Sequence, residues 1–216
     1  MQVTGTRVYL VRHGETEWNH SGRYQGHSDV ALSPRGRQQA ELLQERFRRV
    51  HLDSVYASDL SRALETATTI AAPHGLAVNP VRALREINFG AWEGLTYQEI
   101  IAGYQREWEA WRQDPGHRLV PGGESFHQVK DRVWAAFNGI VQQETGHHIL
   151  MVAHGGSLRA LICSILGLDL SAVWRFRLDN TGVSVVDCYG DKRILTLLND
   201  VHHLEALGES GSNGIL

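Results

Sequence analysis

The chain is expected to fold as an α/β protein around a mostly parallel sheet covered on both faces. Three observations lead there. Short apolar, β-branched runs alternate with longer stretches of helical periodicity. The runs are apolar in the manner of strands buried on both sides. The length, 216 residues with 42% hydrophobic and 21% charged side chains, suits one good-sized domain. That domain is taken as 1–207, and the polar stretch 208–216 is expected to be a disordered tail.

The first strand is RVYLV, 7–11. After a polar loop, Ser33 and Pro34 open a helix as N-cap and first-turn proline, and Ala40, Leu43, Phe47 and Val50 mark its apolar face. A second short strand covers 53–58, and the helix after it stops at Pro73 and Gly75. LAVNPV suggests another strand. The region 84–122 reads as loop and short helix, and its aromatics Trp92, Tyr97, Trp108 and Trp111 are expected to pack rather than to select substrate. A long helix follows PGGES, with Phe126, Val129, Val133, Phe137 and Ile140 on one face. HHILMVA, 147–153, is the most strand-like core segment. The helix after it ends near Gly167, and GVSVVDCY and RILTLLN complete the sheet.

Composition removes several classes of function. A formal charge of −3 gives no footprint for nucleic acid or acidic lipid. No apolar run approaches the roughly 20 residues that span a bilayer, and the N-terminus lacks the pattern of a signal peptide. A cytoplasmic protein with no membrane and no nucleic-acid partner is expected. Cys163 and Cys188 lie in apolar stretches without metal-ligand spacing and are expected to be small buried hydrophobes.

The chemistry concentrates where strands end. In parallel sheets, ligands bind beyond the carboxyl ends of the strands, which puts Arg12, His13 and His154 on one rim. Arg62 falls in the first turn of a helix, whose end already carries partial positive charge, so a cation there suits an anion held between them. Gly155 and Gly156 let backbone approach a ligand closely, and Glu86 lies just before a loop. Two arginines, two histidines and helix N-termini converging on one point describe a phosphoryl pocket. No nucleotide-binding loop and no metal-ligand set is recognisable, so the anion is expected to be held by side chains, with no metal and no cofactor.

Five segments, LVRHGETEWN, SDLSRALETA, LREINFGAWEG, PGGES and VAHGG, resemble in order and spacing the histidine phosphatase superfamily, also called phosphoglycerate mutase-like. The likeness runs from about residue 6 to 204. It implies a three-layer α/β/α sandwich and phosphoryl transfer through a phosphohistidine. His13 would be the nucleophile. Arg12, Arg62 and His154 would bind the phosphoryl oxygens with help from Asn19 and the Gly155 amide, and Glu86 would give a proton to the leaving oxygen. Neighbouring arginines would keep His13 neutral, and its second nitrogen would donate to a backbone carbonyl.

Other carboxylates compete for the acid role, namely Glu15 and Glu93; Glu15 is expected to support its loop or pair with an arginine. Asn19 could instead form a turn. Arg23 and Ser28, in GRYQGHSD, are candidate substrate contacts. So is His203, because related phosphatases can bring the C-terminal segment near the substrate.

A metal-independent phosphatase acting on a small phosphomonoester is favoured, resembling α-ribazole phosphatases, metal-independent phosphoserine phosphatases and broad-specificity members. A cofactor-dependent phosphoglycerate mutase is the alternative, since such mutases usually carry a basic segment after the acid-bearing loop. Here 84–122 has little spare positive charge, which suits a leaving alcohol of at most modest anionic character. A non-catalytic phosphate-binding module would be expected to lose His13 or Glu86, and both are present. The segment 88–127 is expected to act as a lid or substrate-selecting insertion. A homodimer is compatible with the sequence.

Overall fold

The computed structural model describes residues 5–208. The expected tail therefore lies outside the described residues, apart from Gly208. In chain order the elements are β1 (Thr6–Arg12), α1 (Glu17–His20), α2 (Pro34–Phe47), β2 (Ser54–Ala57), α3 (Ser61–Ala71), β3 (Val78–Pro80), α4 (Tyr97–Gln113), α5 (Phe126–Gln143), β4 (His148–Ala153), α6 (Gly155–Leu166), β5 (Val183–Tyr189) and β6 (Lys192–Asp200). The six strands form one sheet in the order β3-β2-β4-β1-β5-β6. β3, β2, β4 and β1 pair in parallel, while β5 runs antiparallel to both of its neighbours.

The central strands have a two-residue period because both faces are covered. On β4, Ile149, Met151 and Ala153 point into one core with α5 and α6, while Leu150 and Val152 point into the other with α2 and α3. On β1, Val8 and Leu10 share the first core and Val11 the second. All of these are buried, and each large aliphatic side chain contributes about 1.5–3 kcal/mol of transfer free energy. Three layers, helix on sheet on helix, result.

The helix starts are chemically marked. Ser33 accepts from the Gly36 N–H with Pro34 at the first helical position, and Ser125 and Gln128 cap α5 reciprocally. The 84–122 region is loop and short helix, as expected: its α4 is two short helical pieces that meet at a kink with non-helical backbone at Tyr104. A capping box of Thr96 and Glu99 starts it, and Ile100, Trp108 and Trp111 are buried. Trp92, Trp108 and Trp111 pack edge to face or tilted against one another in the larger core. Tyr97 packs its edge on Trp108 but stays half exposed.

Register brings the chemistry together. Arg12 on β1 is the parallel partner of Ala153 on β4, and the His13 N–H donates to the Ala153 carbonyl at 3.0 Å. The residues that follow, His13 and His154, therefore leave the sheet side by side.

Candidate active site

The two histidine rings stand 5.0 Å apart between centroids, edge to face, and both side chains are buried. Their hydrogen bonds set opposite tautomers. His13 Nδ1 lies 2.7 Å from the Gly14 carbonyl, which can only accept, so Nδ1 carries the proton and Nε2 keeps its lone pair. Arg62 Nε, which can only donate, points at His154 Nδ1 at 3.2 Å. His154 therefore carries its proton on Nε2, a buried atom with no protein partner among the described residues. One ring offers an electron pair and the other offers an N–H.

Electrostatics keep both rings neutral. Burial first, then the charges of Arg62 and Arg12, hold His13 well below the usual imidazole range. Burial, Arg62, His13 and Arg12 do the same to His154. Arg12 and Arg62 are themselves pushed down to about 10, chiefly by burial, and remain cationic at neutral pH.

Arg12 donates through Nη1 to the Leu178 carbonyl at 2.8 Å, and its Nε is buried without a partner among the described residues. Arg62 behaves differently from expectation. It is fully buried behind His154, and each of its three nitrogens already donates, to His154, to the Ser28 carbonyl and to the Gly26 carbonyl. Neither Arg62 nor His154 is on the lining of the cavity, and both lie buried just beneath it.

Glu86 sits at the N-terminus of α6. Oε2 accepts from the Gly156 N–H, and Oε1 accepts from the N–H groups of Ser157 and Ile87, at 2.9–3.0 Å. Gly156 has to be glycine for this approach, since a Cβ there would run into Glu86 Oε1. The loop is pinned from α5 by Arg132, which donates to the carbonyls of Ala83, Arg85 and Glu86 and to the Glu124 carboxylate.

A cavity of about 410 Å³ opens over this arrangement, lined among others by Arg12, His13, Asn19, Glu86, Gly155 and Arg159. Asn19 turns out to be both turn former and wall. Its Oδ1 caps α1 through the Thr16 N–H, which leaves the donor amide as the end available to an anion. Glu15 supports its loop by accepting from Ser33, while Glu93 clamps the backbone of His27, Ser28 and Phe89. Neither arrangement is that of a proton donor poised over His13.

The three candidate substrate contacts separate. Arg23 lines the cavity, although it also donates to the Gly94 carbonyl and to Glu99. Ser28 does not line it; its hydroxyl is committed to Glu93. His203 does not line it either, because its ring turns inward to Thr181 Oγ1 and Arg46. The C-terminal segment reaches the cavity instead through Val201 and Leu204. Of 88–127, only Phe89 lines the cavity.

Sequence reasoning missed Arg159, Trp174, Asp179 and Asn180, all on the cavity wall. Arg159 carried a visible signal: it is the one charge in the apolar helical stretch GGSLRALICSIL. The other three come from the connection between α6 and β5, whose path no periodicity announces. Asn180 donates to the His13 carbonyl at 3.0 Å.

Cys163 and Cys188 are buried, free thiols, both pushed up to about 11 chiefly by burial. Among the described residues, no helix is long and apolar enough to cross a membrane, and no group of three or more His, Cys, Asp or Glu side chains could hold a metal ion.

The family model described as histidine phosphatase superfamily (branch 1) matches residues 8–201. Phosphoserine phosphatase 1 of Hydrogenobacter thermophilus is 36% identical over 198 residues, covering 92% of this chain and 94% of that protein. The probable phosphoglycerate mutase GpmB of Salmonella choleraesuis is 37% identical over 210 residues, covering 93% and 95%. The crystal structure of a putative α-ribazole-5′-P phosphatase from Escherichia coli superposes with a TM-score of 0.84 at 32% identity, covering 91% and 97%.

Proposed function

The chain belongs to the histidine phosphatase superfamily, branch 1, and from that premise we propose that it is a metal-independent phosphatase hydrolysing small phosphomonoesters through a phosphohistidine on His13. The observation that carries this reading is the buried pair of imidazoles, ring centroids 5.0 Å apart, whose hydrogen bonds leave a lone pair on His13 Nε2 and an N–H on His154 Nε2.

In the first half-reaction, His13 Nε2 attacks phosphorus and the bond to the ester oxygen breaks. Glu86 gives its proton to that oxygen, because an alkoxide leaves poorly without one. Glu86 Oε2 accepts one backbone N–H, which leaves it a position for the proton. In the second half, water attacks the phosphohistidine, Glu86 takes a proton from that water, the P–N bond breaks and phosphate leaves. Arg12, the His154 Nε2–H, the Asn19 amide and the Gly155 N–H bind the phosphoryl oxygens. Arg62 stands behind, fixing the His154 tautomer and adding positive charge. These cations and dipoles stabilise the charge on the transferring group without a metal.

The chemistry is assigned to one domain over 1–207 of a cytoplasmic enzyme. The likeness to a probable phosphoglycerate mutase sustains the second reading, in which a phosphorylated product rather than water takes the phosphoryl group. The two readings are separated by following phosphate release from a panel including p-nitrophenyl phosphate, phosphoserine and α-ribazole phosphate, with and without EDTA, beside a coupled assay converting 3- to 2-phosphoglycerate. Phosphate release that survives EDTA supports the phosphatase. Robust mutase turnover without it would reverse the assignment, and activity restored only by magnesium would refute the metal-free pocket.

A further inference from the structure

We infer that Arg159 on α6 binds a second anionic group of the substrate, a carboxylate a few bonds from the phosphate, so that the enzyme selects phosphorylated hydroxy acids or amino acids over phosphorylated sugars and neutral alcohols. This rests on the phosphatase reading above.

Arg159 lies one helical turn beyond Gly155 and lines the same cavity as Arg12 and His13. Its Nη1 is 3.1 Å from the point where a Cβ on Gly155 would stand, and Arg12 Nε is 3.5 Å from that same point. Two guanidinium groups thus share one corner of the pocket. Like charges so close repel, and Arg159 is the largest charge opposing that of Arg12. The Nε atoms of both are buried and meet no acceptor among the described residues.

Glu86 and Asp179 offset part of this repulsion, but the oxygens of the carboxylates on the cavity wall are already committed to other donors. Glu86 is held by three backbone N–H groups. Asp179 accepts from Arg177 and from Asn199, and Glu15 accepts from Ser33. Of the arginines on the cavity wall, Arg23 pairs with Glu99 and Arg177 with Asp179, whereas Arg12 and Arg159 form no ion pair among the described residues. A pocket built this way is completed by anionic charge from the substrate.

The phosphoryl group alone does not account for Arg159. Its oxygens already have Arg12, His154 Nε2–H, the Asn19 amide and the Gly155 N–H in the proposed mechanism. One further fork beside them matches a carboxylate, whose two oxygens fit a guanidinium edge in parallel. Trp174 fixes that fork, with Arg159 Cζ 5.3 Å from its ring centroid, so little side-chain freedom is lost on binding. The expectation of a leaving alcohol of modest anionic character rested on the sparse charge of 84–122. The wall that decides comes instead from α6 and the connection after it.

The test compares phosphoserine with phosphoethanolamine, which keeps the phosphate and the ammonium and lacks only the carboxylate, using p-nitrophenyl phosphate as reference. Wild type should prefer phosphoserine. Arg159→Met should lower kcat/KM for phosphoserine by at least about tenfold more than for phosphoethanolamine, mainly through KM, with Arg159→Lys intermediate. Equal losses on both esters would overturn the inference, and so would a wild type indifferent to the carboxylate. Failure of the phosphatase reading looks different: none of the three esters then releases phosphate. In that case calorimetric binding of the same two compounds to wild type and Arg159→Met, with folding checked by circular dichroism, decides the matter. A tighter hold on phosphoserine that the substitution removes supports Arg159; no difference overturns it.

Discussion

Arg62 Nε donates to His154 Nδ1 across 3.2 Å, and this one bond decides what His154 can offer the pocket. An arginine side chain has no acceptor, so the imidazole must accept at Nδ1 and keep its proton on Nε2. Arg62→Met should release that tautomer and lower kcat on p-nitrophenyl phosphate by about a hundredfold, the scale of losing one oriented donor at the transferring group. Nitrogen chemical shifts of the His154 ring report the tautomer directly. An unchanged Nε2–H tautomer in the variant would show that Arg62 does not set it.

Glu86→Gln should slow esters with poor leaving groups more than the activated aryl ester, since only the former need a proton at the departing oxygen. Steady-state rates on a series of leaving groups measure this. Equal losses across the series would remove Glu86 from the acid role.

Gly156→Ala tests the seat of that carboxyl group. The added methyl would occupy the space of Glu86 Oε1, so Glu86 must shift. A drop of at least about tenfold in kcat is expected for a misplaced proton donor. It should be greatest on poor leaving groups, as for Glu86→Gln. A variant as active as wild type on those esters would show that the contact is not needed.

Acid should weaken the fold in a defined window. His203 is pushed down to about 4, chiefly by burial and then by Arg46, and His13 and His154 are also well below the usual value of 6.5. Below about pH 6.5 the unfolded chain takes up protons at these positions that the folded chain refuses. Stability is therefore intact above that pH and falls as pH drops, for His203 down to about pH 4. Thermal unfolding from pH 7 to 4.5 should show a falling Tm, with a shallower slope in His203→Gln. Parallel slopes would exclude His203 as a contributor.

The strand ends were legible in the sequence because an arginine and a histidine directly after an apolar run have few places to go. Once β1 and β4 pair in parallel, the register does the rest, and His13 meets His154. The place of Glu86 on the cavity wall was legible as well, through its position before a loop, while its acid role is what the resemblance implies. The capping box of Thr96 and Glu99 that starts α4 went unread, because Gly103 and the crowded aromatics obscured the periodicity after it. The position of Arg62 behind His154, and the inward turn of His203 toward Thr181, follow from side-chain packing that no local pattern encodes.

The most direct test is to mix enzyme with a 32P-labelled phosphomonoester, quench within milliseconds at alkaline pH, where phosphohistidine survives, and map the label. The account predicts label on Nε2 of His13 during turnover and none in His13→Ala, which should also lose p-nitrophenyl phosphate hydrolysis while remaining folded. Sustained turnover with no label on His13, or with label on another residue, would contradict it.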